Sequence, residues 1–433
     1  FSEASVRVFD LRDPNAPRPL ISRVITEGTG HRAIWRSAGG EFLTVADSAI
    51  RTPAIFVDEP SDLSSTDPAV DYLVITTADL TAAAEQLAAL RSAQGLATRV
   101  VDIQDVYDEF SDGLRDPRAI RSLIAHALGH WQRAPQYVVL AGAGTYDHRD
   151  FLGLGGNLIP VLQASDGDGG LYASDATLGD VDVDGLMDVA VGRIPVMSAS
   201  ELEDYAAKVA TYEAGGEWIH RITTVADSAD GDTVFANDGL ALASLLPLGY
   251  DVTAISLDAS PLADARQALF DSFTAGSTWV HYSGHGGPDR WSDQALFTSN
   301  DVASLDNAGA LPVVSSATCL IGLHALPGFD ALGEFLVLDA TDGAIAVMAP
   351  TWNSQHDESR FLRDRFFRQV FQREVDRLGD GLLAALGSAA SIGVEPELLR
   401  SYQILGDPAI RLQRQPVEQV GTEVCLPGDE CDG

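Results

Sequence analysis

The sequence predicts an α/β protein with two three-layer α/β/α halves, each built on a mainly parallel sheet, preceded by a small β segment. Two observations predict this class. After residue 68, short apolar runs typical of buried strands alternate with stretches that have helical spacing. The alternation occurs twice, on either side of a predicted helix over residues 198–214. Because β–α–β units place successive strands side by side in one direction, each half should form a parallel sheet covered by helices.

The start of the chain differs from the rest, because its short β-type runs are separated by Pro and Gly. A Pro-, Ser- and Asp-rich stretch over residues 59–71 is typical of a linker. The chain opens at Phe1 without a basic and apolar signal region, so we interpret this segment as the remnant of a larger domain, such as an N-terminal propeptide. The predicted organisation is a β-rich segment, two α/β halves and a tail, over residues 1–68, 69–215, 216–413 and 414–433.

Local patterns place the individual strands. In the first half, strands are predicted over residues 72–76, 99–103 and 137–142. In the second half, strands are predicted over residues 223–227, 250–257, 277–284, 311–317 and 343–349. Reactive groups of open parallel sheets belong beyond the carboxyl ends of the strands, so these ends are the places to search for a site.

Composition excludes several classes of function. The chain has 433 residues, with 28 Lys and Arg against 63 Asp and Glu, which gives a formal net charge of −35. Binding to nucleic acid or to an anionic membrane requires clustered basic side chains, so we expect neither partner. No apolar run reaches the 18 residues of a membrane-spanning helix. An acidic surface favours divalent cations and basic substrates instead.

Two strands of the second half end in reactive side chains. His285 follows one strand and lies between two glycines, and Cys319 follows the next strand. A neighbouring His can take the proton of a Cys, whose thiolate is the nucleophile. The amides of Gly286 and Cys319 could hold the oxyanion of an acyl transfer. The alternative is that Cys319 is a buried small side chain and His285 an ordinary turn residue.

The same residues resemble a known family. HYSGHGG, followed 34 residues later by the Cys of SSATC, is similar to the gingipain-type cysteine peptidases of the caspase-like clan. Further segments resemble that family in the same order, namely YVVLAGAGTYD, DVDGLMDVAVGRIPV, ADSAD and SYQILGDPAIRL, so that the resemblance covers about residues 50–413. It implies two caspase-like halves, a noncatalytic first half and a catalytic second half. It also implies that His285 and Cys319 are the catalytic pair.

The resemblance extends to residues that assist the pair. In the family, an acid on the loop after the first strand of the catalytic half supports the His; Asp230 is the best match for this acid, and Asp227 is a close competitor. The family's substrate-reading Asp aligns near Val234, with Asp232 as the adjacent acid. Trp352 follows a later strand, where it either lines the substrate cleft or covers the core.

A second acidic loop predicts a metal. Asp180, Asp182 and Asp184 occupy alternate positions, Gly185 follows, and Asp188 comes four residues after Asp184. Alternate carboxylates of this kind converge on Ca²⁺, although position twelve is Val191 rather than the usual Glu. We therefore expect a structural Ca²⁺ site of open type, the alternative being a plain acidic turn.

The remaining cysteines indicate the compartment. Cys425 and Cys431 flank a short loop with Pro and Gly, which favours a disulfide and an oxidising environment. The resulting hypothesis is a secreted or surface-exposed bacterial cysteine endopeptidase that acts on proteins or peptides and prefers basic residues. The alternatives are a noncatalytic calcium-binding adhesion module on the same fold, and a peptide ligase that captures the acyl-enzyme with an amine.

Overall fold

The computed structural model describes residues 1–14, 16–52 and 60–415. The chain divides into two compact units, with the boundary between Pro60 and Ser61. The predicted disulfide of Cys425 and Cys431 lies outside the described residues.

The N-terminal unit is made of strands, as its sequence predicts. Three strands form an antiparallel sheet in the order β2-β1-β5, and the other two form a separate antiparallel hairpin. Val6 and Val8 of the central strand are buried. The strands are β1 (Val6–Asp10), β2 (Arg18–Leu20), β3 (Ser22–Glu27), β4 (Gly30–Trp35) and β5 (Phe42–Ala46).

The second unit contains the α/β part. Its strands are β6 (Tyr72–Thr76), β7 (Thr98–Asp102), β8 (Tyr137–Ala141), β9 (Gln163–Ser165), β10 (Leu171–Ala173), β11 (Ala190–Ile194), β12 (Arg221–Ala226), β13 (Asp251–Ser256), β14 (Trp279–Ser283), β15 (Gly286–Gly287), β16 (Arg290–Trp291), β17 (Phe297–Thr298), β18 (Val313–Ala317), β19 (Ala346–Pro350) and β20 (Tyr402–Leu405). Its α-helices are α1 (Thr81–Ala93), α2 (Ile103–Phe110), α3 (Arg118–His130), α4 (Ala176–Gly179), α5 (Ala199–Glu213), α6 (Ala236–Ala243), α7 (Leu262–Ala275), α8 (Leu332–Leu338), α9 (His356–Phe371), α10 (Leu378–Ser391) and α11 (Pro396–Ser401).

Ten of these strands form one sheet. Their order is β13-β12-β14-β18-β19-β20-β11-β8-β6-β7, and every neighbouring pair is parallel except β19 and β20. The five strands on one side of this junction therefore run opposite to the five on the other side. The two predicted halves thus meet edge to edge in a single continuous sheet.

Strand β20, the last strand in the sequence among the described residues, joins the sheet of the first half. Strand β20 pairs in parallel with β11, where Ile404 is the partner of Gly192. The sequence analysis assigns residues 402–405 to the second half, and the division of the chain at residues 215 and 216 stays a prediction.

Helices cover both faces of the sheet. In β6 every residue is buried, with Tyr72 and Val74 in one hydrophobic cluster and Leu73 and Ile75 in another. Alternate side chains of a strand point to opposite faces, so each face has its own core. Helix α1 packs in the first cluster and α3 in the second. This is the three-layer α/β/α architecture that the alternating pattern predicts.

Among the described residues, no helix combines the length and the apolar character that a membrane span requires.

Candidate active site

Strands β14 and β18 bring the two predicted catalytic residues to one edge of the sheet. The strands are parallel neighbours, and Ser283 pairs with Ala317 at their carboxyl ends. His285 and Cys319 each follow this pair by two residues. Because the strands run in the same direction, both side chains belong to the same short stretch of the sheet edge.

The imidazole of His285 has a carboxylate partner on a neighbouring loop. Its Nε2 lies 3.1 Å from Oδ2 of Asp230, and both side chains are exposed, at 54% and 70% respectively. A tight turn holds this acid, since Asp230 and Thr233 exchange two backbone hydrogen bonds of 3.0 Å. The ring of Phe235 meets the imidazole edge to face, with 5.6 Å between the ring centroids.

The other candidate acid, Asp227, has a different place. Its carboxylate is buried, with an exposure of 4%. Oδ2 accepts a hydrogen bond of 3.1 Å from the backbone amide of His285. The hydroxyl of Ser292 donates to Oδ1 over 2.7 Å. The structure therefore places Asp230 at the imidazole and Asp227 at the backbone of the same residue.

Cys319 lies on a turn that is tied to the segment after β19. The amide of Leu320 donates to the carbonyl of Trp352 over 3.2 Å, and the hydroxyl of Ser354 donates to the carbonyl of Thr318 over 2.9 Å. Leu320 has a φ of +62°, in the left-handed region that is uncommon for residues other than glycine. The Cys319 thiol is partly exposed, and Sγ lies 3.9 Å from the carbonyl oxygen of Ser354.

The two amides predicted for an oxyanion site are available. In the hairpin that follows β14, the amide of Ser292 donates to the carbonyl of His285. Hydrogen-bonded and non-hydrogen-bonded pairs alternate along an antiparallel ladder. The next pair, Gly286 and Trp291, is therefore a non-hydrogen-bonded pair. The N–H of Gly286 then points away from the hairpin. The amide of Cys319 donates no hydrogen bond within the described part of the chain. A Cβ on Gly286 would lie 2.5 Å from Oγ1 of Thr318, so a side chain at residue 286 would require Thr318 to shift.

Two predicted substrate residues lie near the site. Trp352 is half-buried next to the nucleophile turn and stacks on Tyr172, with 5.6 Å between the centroids. Asp232 is exposed at the tip of the turn that holds Asp230.

One buried acid near His285 was missed by the sequence analysis. Asp238 is the hydrogen-bond partner of His356, over 2.7 Å, and His356 packs on the same Phe235 that meets His285. Burial opposes its ionisation, but the hydrogen bond from His356 and the charge of Arg363 hold the pKa of Asp238 below its usual value. The sequence feature that could have revealed Asp238 is its place on the buried face of α6, where an apolar residue would be expected.

The second acidic loop gathers three of its four predicted ligands. Carboxylate oxygens of Asp180, Asp182 and Asp188 lie within 4.8 Å of one another. Asp184 is not in this group, and its Oδ1 accepts from the amide of Leu186 instead. Asp180 is buried, and its Oδ1 finds no hydrogen-bond partner among the described residues. Burial raises the pKa of this carboxyl.

The sequence model of peptidase family C25 matches residues 65–413. The chain belongs to peptidase family C25. This C25 chain is therefore a member of a cysteine peptidase family, as the resemblance to gingipains implies.

Gingipains are among the relatives of this C25 chain. Gingipain R2 of Porphyromonas gingivalis is 21% identical over 341 residues, which cover 74% of this chain and 43% of the relative. The chain thus spans less than half the length of that curated relative.

Solved structures show the same fold. The crystal structure of the Arg-specific cysteine proteinase gingipain R has a TM-score of 0.65 at 19% identity, over 79% of this chain and 78% of that one. Dimeric latent PorU from Porphyromonas gingivalis has a TM-score of 0.50 at 17% identity, over 95% of this chain and 37% of that one. Together with the ten-stranded sheet and its helices, these matches confirm the predicted caspase-like α/β fold.

Proposed function

We propose that this C25 chain is a secreted cysteine endopeptidase that hydrolyses peptide bonds through a Cys–His pair. The observation that carries the proposal is the register of β14 and β18, which puts His285 and Cys319 at equivalent positions of one sheet edge. Nucleophilic catalysis by Cys needs an imidazole within reach of the thiol, and this register brings the two residues to the same short stretch of the sheet.

The reaction follows from the groups at this edge. His285 takes the proton of the Cys319 thiol, and the thiolate attacks the scissile carbonyl. The amides of Gly286 and Cys319 donate to the resulting oxyanion. His285 then gives the proton to the leaving amine, and the C–N bond breaks to leave a thioester. Water, activated by the same imidazole, hydrolyses the thioester and restores the thiol.

Asp230 determines which ring nitrogen of His285 accepts the proton of Cys319. Its carboxylate is paired with Nε2, so Nδ1 is the nitrogen that remains for the Cys319 proton. The carboxylate also stabilises the imidazolium that forms during attack.

A preference for basic substrates is part of the proposal. Asp230 and Asp232 are exposed on the turn beside His285. These charges attract a cationic side chain next to the scissile bond. A fold relative that carries the description Arg-specific supports the same preference.

We propose Ca²⁺ at the loop of residues 180–188. The fit is good, because three carboxylates converge and one buried oxygen of Asp180 has no partner among the described groups. Hard oxygen ligands are the ones that Ca²⁺ prefers. The ion would fix the loop that leads into β11 and would have no part in the chemical step.

Secretion and a propeptide partner complete the proposal. The acidic composition and the predicted disulfide of Cys425 and Cys431 support an extracellular setting. A neighbouring structure is a complex of gingipain pro- and mature domains, which supports a propeptide as partner.

The test is a positional-scanning peptide library with wild type and Cys319→Ala, both with and without Ca²⁺. We expect cleavage by wild type, strongest after Arg or Lys, and none by the variant. Mass spectrometry of the products separates hydrolysis from ligation, since an amine-captured product is heavier than a hydrolysed one. If wild type cleaves no peptide under any condition, the noncatalytic adhesion module replaces this proposal.

A further inference from the structure

The backbone of His285 is held at both of its polar groups. Its amide donates to Oδ2 of Asp227 over 3.1 Å. Its carbonyl accepts from the hydroxyl of Tyr282 over 2.6 Å and from the amide of Ser292 over 2.8 Å. The imidazole itself has one exposed partner, Asp230. The ring itself contacts Asp230 and Phe235, whereas the place of the His285 backbone, from which the ring extends, is fixed by these hydrogen bonds.

The Asp227 carboxylate, which accepts from the His285 amide, receives hydrogen bonds at both of its oxygens. Oδ1 of Asp227 accepts from the amide of Ser228 over 2.8 Å and from the hydroxyl of Ser292 over 2.7 Å. Oδ2 accepts from the amide of His285, and the Tyr282 hydroxyl lies 3.3 Å from the same oxygen. A buried carboxylate is stable only when its oxygens are satisfied. Protein donors alone satisfy both oxygens of Asp227.

The donors are themselves fixed in direction. The ring of Tyr282 stacks on Trp291, with 4.8 Å between centroids and 5° between the planes. Ser292 is buried with a φ of +61°, a strained conformation that persists only where the surroundings impose it. Here that conformation lets one residue reach both the carbonyl of His285 and the carboxylate of Asp227.

Gly284, the residue before His285, has no room for a side chain. Gly284 has a φ of +155°, and a Cβ there would lie 2.3 Å from Cβ of Asp227 and 2.5 Å from the hydroxyl oxygen of Tyr282. Asp227 and Tyr282 therefore occupy the space next to Gly284, on the N-terminal side of His285.

We propose that Tyr282 and Ser292, acting with Asp227, are positioning residues that fix the backbone of His285 and thereby the place from which its imidazole reaches toward Cys319. This inference rests on the proposed function. Side chains of an acyl-transfer site must be held within about 0.5 Å of the productive geometry. The hydroxyls of Tyr282 and Ser292 supply this constraint without touching the substrate.

The test compares Tyr282→Phe and Ser292→Ala with a matched control. Tyr282→Phe removes one hydroxyl and keeps the stacking on Trp291. Tyr137→Phe is the control, because it also removes a tyrosine hydroxyl with a protein partner, Asp380, but in a strand of the first half. We expect Tyr282→Phe and Ser292→Ala to lower kcat about tenfold with KM unchanged, since small misplacements of a catalytic group reduce rates steeply. Tyr137→Phe should keep the wild-type kcat.

A second measurement does not depend on turnover. NMR of the ¹⁵N-labelled histidine rings reports the tautomer and mobility of His285. We expect altered His285 ring signals in Tyr282→Phe and Ser292→Ala, and unchanged signals in Tyr137→Phe. Wild-type kcat together with wild-type ring signals in both variants would overturn the positioning role. Failure of wild type to cleave any peptide would refute the proposed function alone, because the ring signals still test the positioning.

Discussion

Two acidic loops of this protein contain a buried Asp with the same exposure and opposite surroundings. Asp227 and Asp180 are each 4% exposed. Both oxygens of Asp227 accept hydrogen bonds from the protein, and one of the donors is the backbone amide of His285. Asp180 accepts from Gly185 at one oxygen, whereas the other has no partner among the described residues.

The difference shows how buried carboxylates can be distinguished. A carboxylate whose oxygens are satisfied by amides and hydroxyls is a structural anchor, and it needs no further ligand. One with an unsatisfied oxygen beside two other acids calls for a cation. From this difference we infer a positioning role for the loop of Asp227 and a cation at the loop of Asp180.

The largest expected effect contrasts Asp227 with Asp230. Asp227→Ala leaves the amides of Ser228 and His285 and the Ser292 hydroxyl without their acceptor. Each unsatisfied buried group costs about 1–3 kcal/mol, so the free energy of unfolding should fall by roughly 3 kcal/mol or more. Asp230→Ala removes an exposed pair and should change it by less than about 1 kcal/mol, while kcat falls about tenfold. Urea denaturation and peptide hydrolysis measure both quantities.

This contrast fails if the two variants lose equal stability, or if Asp230→Ala keeps the full rate. Either result would mean that burial does not distinguish the role of Asp227, which binds the backbone, from that of Asp230, which binds the imidazole.

The next effect concerns the metal loop. If Ca²⁺ binds the folded protein alone, a concentration 100 times the dissociation constant should stabilise it by about 2.7 kcal/mol. Asp180→Asn should abolish this gain, whereas Asp184→Asn should largely keep it, since Asp184 is outside the group of three. Calorimetry with Ca²⁺ or with EDTA measures the melting temperatures. A Ca²⁺ effect that persists in Asp180→Asn would place the ion elsewhere.

The smallest expected effect is the pH dependence that Asp180 gives to the stability of the protein. Burial raises the pKa of Asp180 in the folded state, so the folded protein binds its proton more tightly than the unfolded chain. Without metal, this residue therefore contributes less stability as the pH rises from below its unfolded pKa through its folded pKa. In EDTA, wild type should lose stability relative to Asp180→Asn over that range. A constant difference between the two proteins would contradict the raised pKa.

The sequence predicted the parts of the structure that depend on local patterns. The predicted strand over residues 72–76 has the observed bounds, and the strands that end before His285 and Cys319 lie within two residues of their predictions. Parallel strands fix where their carboxyl ends meet, which is why the relation of His285 to Cys319 could be inferred without coordinates.

The remaining features depend on contacts between distant segments. Pairing of β20 with β11 joins residues 404 and 192, and no local pattern carries that information. Ser292 reaches Asp227 only because a hairpin folds it back with a positive φ. The distinction between Asp227 and Asp230 likewise depends on burial, because both are Asp residues of one loop.

Alkylation by iodoacetamide shows whether Cys319 and His285 act as a pair. Rates are measured near neutral pH on wild type and His285→Ala, and the modified Cys is identified by peptide mapping. We expect wild type to react at Cys319 at least about tenfold faster than the variant, because a paired imidazole increases the thiolate fraction. Equal rates in the two proteins would show that His285 does not activate Cys319 and that the two residues do not act as a pair.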